Sequence, residues 1–148
     1  NSTELAIQEE FHVLTISGVV TEKTDKMDEV LVELFEQNKL VDAMETKKNG
    51  KFKFALYNNH IYTLQFSKGG YVTKRVTVNT HVPSDFEDEL EYPFDCDLDE
   101  EITDASAKVD NLNEYPIAII LFDENKKAFA FDKGYTSSLK QEIKAAED

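Results

Sequence analysis

Six times between residues 11 and 79 this chain repeats one pattern: a short stretch of alternating apolar and polar residues, then a turn. A period of two puts every second side chain on one face, as in a strand with one buried side. "FHVLTISGVV" (11–20) sets Leu14, Ile16 and Val20 on one face, and "EVLVELFE" (29–36), apolar on both sides, reads as a central strand. "KLVDAMET" (39–46) follows Gln37-Asn38, a tight-turn pair. Asn49-Gly50 is the strongest hairpin signal and leads into "KFKFALY" (51–57) with Phe52, Phe54 and Leu56 inward. "HIYTLQFSK" (60–68) groups Tyr62, Leu64 and Phe66. After the Gly69-Gly70 turn, "YVTKRVTVN" (71–79) groups Val72, Val76 and Val78. Lys74 falls on that apolar side, which requires a bulge or a strand end there. Strands this short and this regularly spaced predict an antiparallel sandwich or barrel.

Beyond residue 81 acids dominate, yet "LEYPFDCDLDEE" still alternates, with Phe94, Cys96 and Leu98 opposite Asp95, Asp97 and Asp99. It predicts a seventh strand, near an edge because of Pro93. "ITDASAKVDNLNE" reads as a loop, "PIAIILF" and "AFAFD" as a hairpin around "DENKK". A helix is expected from about Thr136, with Ser138 and Gln141 as a capping box and Leu139, Ile143 and Ala146 along one side. The expected fold is therefore mainly β. A seven-stranded antiparallel sandwich occupies residues 11–100, and a β-hairpin plus short α-helix at 112–148 packs on it or extends it.

Charge is distributed in blocks. Residues 46–80 hold no acid and 7 bases, whereas residues 81–110 hold 12 acids and 1 base. The simplest reading is that these blocks are neighbouring strands whose outer faces attract. The whole chain carries a formal charge of −14, which argues against nucleic acid as a partner and against adsorption to anionic membranes. "PIAIILF" is the longest apolar run and is too short to cross a bilayer, so no membrane insertion is expected. A single cysteine, Cys96, allows no internal disulfide and leaves the redox compartment open. The start at Asn1 suggests processing, so an export signal is not excluded.

Gly18 in the first strand, Thr46-x-x-x-Gly50-x-Phe52, and Tyr62-x-Leu64-x-Phe66-x-Lys68-x-Gly70-Tyr71 together resemble the carboxypeptidase regulatory-like domain over residues 13–80. The resemblance implies a transthyretin-like (prealbumin-like) β-sandwich of a secreted bacterial protein, in the periplasm, at the cell surface or outside the cell. It also implies a non-catalytic interaction or scaffold module with a protein partner. The motif residues, including the turns at Asn49, Gly50, Gly69 and Gly70, are structural, and no functional site is carried over from them. A transthyretin-like hydrolase of a urate-derived ring would need a histidine–arginine constellation and a C-terminal Tyr-Arg-Gly-Ser. Here Arg75 is the one arginine and the chain ends "IKAAED". An internal Lys–Asn isopeptide bond is disfavoured too, because the first strand has no interior lysine.

No nucleophile elbow, P-loop or dinucleotide fingerprint is present, so the expectation is a chain that is not an enzyme, with a small hydrolase as the remote rival. Asp95, Asp97 and Asp99 form a candidate calcium site, since a hard cation prefers carboxylate oxygen. The spacing departs from an EF-hand at Glu100 and Ser106, and a solvated strand face is the favoured reading. No other cofactor is implied. His12, His60 and His81 are far apart and read as scattered surface residues, and Cys96 reads as a buried small apolar group. The alternative function is a carbohydrate-binding accessory domain in which Tyr57, Tyr71, Tyr92 and Tyr135 supply stacking surfaces.

Overall fold

Where apolar residues recur at every second position, the chain does extend, and two sheets close over the side chains. The computed structural model describes residues 9–101 and 116–135. The first sheet is built on β1 (His12–Glu22), flanked on one side by β5 (Lys51–Tyr57) and the two-residue β2 (Asp25–Lys26). On its other side lie β8 (Leu90–Pro93) and β9 (Cys96–Asp97). The second sheet runs β11-β10-β7-β6-β3-β4, with β3 Leu31–Glu36, β4 Lys39–Glu45, β6 Ile61–Ser67, β7 Lys74–Asn79, β10 Ala118–Asp123 and β11 Ala128–Phe131. Between the sheets, Leu14, Ile16, Val20, Phe52, Phe54 and Leu56 meet Val32, Leu34, Leu64, Phe66, Val76, Val78 and Ile120, all buried. Fully burying one such side chain contributes roughly 1.5–3 kcal/mol, so this alternation is the main source of stability.

The sandwich is mainly β, as expected, but its connections differ from the expectation in three ways. First, Asn49-Gly50 does not close a hairpin. β4 pairs with β3, β5 pairs with β1, and the turn between them carries the chain from one sheet to the other. Gly50 has the positive φ of 70° that a tight turn demands, and a Cβ there would stand 2.7 Å from the Val20 carbonyl oxygen. The dipeptide reported the turn, not the partner. Second, the pairing is mixed: β8 and β9 run parallel to β1, and β10 runs parallel to β7. The seventh strand is split into β8 and β9, although its alternation holds, with Cys96 and Leu98 buried and Asp95, Asp97 and Asp99 exposed. Third, the basic and acidic blocks are not neighbours within the first sheet. β5, with Lys51 and Lys53 outward, and acidic β8–β9 lie on opposite sides of β1.

The remaining local expectations resolve simply. Gln37 and Asn38, at φ 50° and 66°, make the β3–β4 turn, and Gly70, at φ 87°, makes the β6–β7 turn with Tyr71 N–H bonded to Lys68 O. Lys74 begins β7, and its ammonium leaves the apolar side to donate to the Asp97 carbonyl and pair with Asp99 at 3.1 Å. β10 and β11 form a hairpin that continues the six-stranded sheet. The helix expected from Thr136, with its capping box, lies outside the described residues, as does the loop at 102–114.

Candidate functional site

At one end of the sandwich, on the side where β4 and β5 are the outermost strands, the sheets leave a cleft of about 510 Å³. Five strands or their flanks meet there: Glu10 and His12 at the start of β1, Glu36 at the end of β3, Val41 and Asp42 on β4, Tyr57 at the end of β5, and His60 and Tyr62 at the entry to β6. The chain can turn sharply at this point because Asn59 takes φ 62° and Thr80 ties the turn. Thr80 Oγ1 accepts from His60 N–H at 2.9 Å, and Thr80 N–H donates to His60 O at 2.8 Å.

His60 is the hub. Its Nε2 donates to Glu10 Oε2 at 2.7 Å and its Nδ1 donates to Glu36 Oε2. A neutral imidazole has one N–H, so two carboxylate partners select the imidazolium. Burial works to lower the His60 pKa, but the hydrogen bonds and charges of Glu10 and Glu36 outweigh it, and the net shift is upward from 6.5. Behind it the Tyr62 hydroxyl accepts from Tyr57 N–H at 3.1 Å, and burial raises its pKa. At the rim, the Tyr57 ring is 41% exposed and packs on the His12 imidazole at 4.3 Å. The cleft therefore offers a wet aromatic face beside three carboxylates, with one fixed cation between two of them.

The sequence-based candidates are not brought together elsewhere. Of the four tyrosines, Tyr57 alone lines this cleft. Tyr71 donates to Glu22 at 2.7 Å, which lifts its hydroxyl to about 12; Tyr92 is half-buried on β8; and Tyr135 donates to Pro116 O. Asp95, Asp97 and Asp99 turn to separate partners: Asp95 accepts from Val19 N–H at 2.9 Å, Asp97 from Thr21 Oγ1 at 2.8 Å, and Asp99 meets Lys74. Among the described residues no group of three His, Cys, Asp or Glu is placed to hold a metal ion. Burial pushes the Cys96 thiol up to about 12, which keeps it protonated. Asn49 Oδ1 accepts from Lys51 N–H at 3.0 Å, closing its turn.

Sequence reasoning missed the cleft. The histidines read as scattered along the chain, whereas His12 and His60 both line the cleft. Glu10 and Glu36 carried no local signal, since they lie 50 and 24 positions from His60.

No protein family and no curated protein matches the chain. Solved structures similar to it include 3-chlorocatechol 1,2-dioxygenase of Rhodococcus opacus (9% identity, TM-score 0.43), over 64% of this chain and 62% of that one. Another is 5-hydroxyisourate hydrolase of Klebsiella pneumoniae (14%, TM-score 0.40), over 60% and 99%. A third is a protein of Bacteroides uniformis described as carbohydrate-binding (10%, TM-score 0.41), over 60% and 42%. The chain spans less than two thirds of the length of the catechol and chlorocatechol dioxygenases it is similar to. The expectation that the chain is not an enzyme is corrected by these findings. Enzymes of two kinds stand among the similar structures, so the lack of a familiar motif gives no ground for excluding catalysis. Likeness at this level transfers no activity either.

Proposed function

We propose that this chain is a carbohydrate-binding module of a secreted or cell-envelope bacterial protein, related to the carboxypeptidase regulatory-like sandwiches. Its binding site is the cleft around Tyr57. The observation that carries this reading is the exposed Tyr57 ring, braced by His12 at 4.3 Å, beside the carboxylates of Glu10, Glu36 and Asp42. A sugar ring presents C–H groups to an aromatic face and hydroxyl donors around its edge, and carboxylates accept those hydroxyls. His60 contributes by holding Glu10 and Glu36 at fixed positions. The test is binding to a glycan panel, followed by titration of the best ligand against Tyr57→Ala and Asp42→Asn. Loss of binding in both variants, with unchanged thermal unfolding, supports the cleft. A blank panel, or binding indifferent to Tyr57→Ala, overturns it.

A second reading, a protein-interaction module, is favoured by one observation: Leu40 and Val41 on the edge strand β4 are 49% and 46% exposed.

A further inference from the structure

In a chain with 30 acids and 16 bases, one corner of the molecule gathers four exposed lysines. Lys47 and Lys48 lie in the crossing between the sheets, and Lys51 and Lys53 project outward from β5. All four are exposed, and among the described residues none makes an ion pair. The acidic stretch that could neutralise them is fixed on the far side of β1, where β8 and β9 hold it in parallel pairing. Lysines elsewhere in the same sequence block do find partners: Lys68 pairs with Asp28 and Lys74 with Asp99. The fold thus keeps these four lysines apart from the acidic strands β8 and β9.

The same corner is an open sheet edge. Among the described residues β5 pairs with β1 alone. Val20 N–H donates to Gly50 O, so even-numbered residues of this segment turn their amides toward β1, and Lys51, Lys53, Ala55 and Tyr57 turn theirs to the open side. Lys51 N–H is occupied by Asn49 Oδ1 and Tyr57 N–H by the Tyr62 hydroxyl, which leaves the amide groups of Lys53 and Ala55 at the centre of the edge for an incoming strand. Beside them runs an apolar groove of about 480 Å³, lined by Val19, Met44 and Phe52 together with Lys51 and Lys53.

We infer that the β5 edge binds an acidic, extended polypeptide segment of a partner protein. The segment adds as a strand to the first sheet, its carboxylates reach Lys47, Lys48, Lys51 and Lys53, and an apolar side chain between them fills the groove. Backbone pairing at Lys53 and Ala55 supplies the register, and the lysines supply the choice of sequence. This identifies the partner chemistry for the interaction reading and does not rest on the carbohydrate reading, although Ala55 also lines that cleft. Nucleic acid is a poorer occupant, because a chain of net charge −14 repels a long polyanion beyond the corner itself.

The experiment is fluorescence anisotropy with a labelled peptide of roughly ten residues alternating glutamate and valine, long enough to run along β5. Wild-type protein is expected to bind it at low salt and more weakly as salt rises. The Lys51→Glu/Lys53→Glu variant, checked by circular dichroism, is expected to bind it roughly tenfold more weakly or worse, since two attractions become repulsions. A peptide of the same sequence N-methylated at alternate amides keeps its charge but cannot pair as a strand, and it is expected not to bind. Binding that survives N-methylation, or displacement of the peptide by single-stranded DNA of equal charge, marks a plain polyanion surface and overturns the inference. No binding at low salt overturns it as well. Self-association of the free protein, abolished by the lysine variant, would assign the edge to a second copy and overturn it. If Leu40→Glu/Val41→Glu abolishes peptide binding and the lysine variant does not, the partner sits on β4. In that case the inference falls while the interaction reading stands.

Discussion

Three residues show how much of this fold depends on single atoms. Gly18 lies where β1 passes the break between β8 and β9, and a Cβ there would stand 1.8 Å from the Phe94 carbonyl oxygen. Gly18→Ala must therefore push the acidic strand away, at a cost of about 1–3 kcal/mol in urea unfolding. Gly69→Ala is the control: nothing lies within 4 Å of its Cβ, and a change under about 0.5 kcal/mol is expected. Thr46 is 3% exposed; its Oγ1 accepts from Val30 N–H at 3.0 Å and donates to Met27 O at 2.8 Å. Thr46→Val keeps the shape and strands a buried N–H, which should lower stability by about 1–3 kcal/mol. His60 makes a pH prediction whose sign follows from its raised pKa. The contribution of the Glu10–His60–Glu36 bridge is complete below the unfolded-state value near 6.5 and is lost as pH rises through the higher folded-state value. Melting temperatures of wild type and His60→Gln should therefore converge on the alkaline side. A gap that does not change with pH would mean that no imidazolium bridge exists.

At the scale of elements, what the sequence made legible was local. Hairpins β3–β4 and β6–β7 follow from alternation on either side of Gln37-Asn38 and Gly69-Gly70, because a two-strand unit joined by a short turn is decided by its own residues. Asn49-Gly50 misled because a turn fixes the direction of the chain and leaves the choice of sheet to burial elsewhere. Parallel pairings were illegible for the same reason: β10 finds β7 only after some forty intervening residues, and no residue type marks such a partner. The candidate cleft suffered the same fate, since its carboxylates reach His60 from β1 and β3. One prediction separates an integral β10–β11 from an appendage. Ile120 is fully buried, on a strand paired to β7, so Ile120→Ala should cost about 2–5 kcal/mol of global stability. Phe131, 43% exposed at the outer edge, should cost far less when replaced by alanine. If the urea midpoint ignores Ile120→Ala, the hairpin unfolds separately from the sandwich.

For the molecule as a whole, the largest unbalanced quantity is charge. A formal −14 on 148 residues means that acids repel one another over most of the surface, and this self-repulsion favours the expanded chain. Pairs such as Lys68–Asp28, Lys74–Asp99 and the two carboxylates on His60 oppose it. The Lys68 and Lys74 pairs are partly exposed and each is worth at most about 1 kcal/mol, while repulsion among exposed acids acts over a Debye length. Salt screens both, but with 30 acids to 16 bases the repulsions outnumber the attractions. Raising ionic strength from about 0.02 M to about 0.5 M shortens the Debye length several-fold and should raise the melting temperature by several degrees. The same addition should weaken peptide binding at the lysine corner, because that contact is attractive. Stability and binding are thus expected to move in opposite directions along one salt series, which a thermal melt and an anisotropy titration measure in the same buffers. A melting temperature that falls with salt would show that the cross-strand pairs, and not the acidic surface, dominate the electrostatics of the fold.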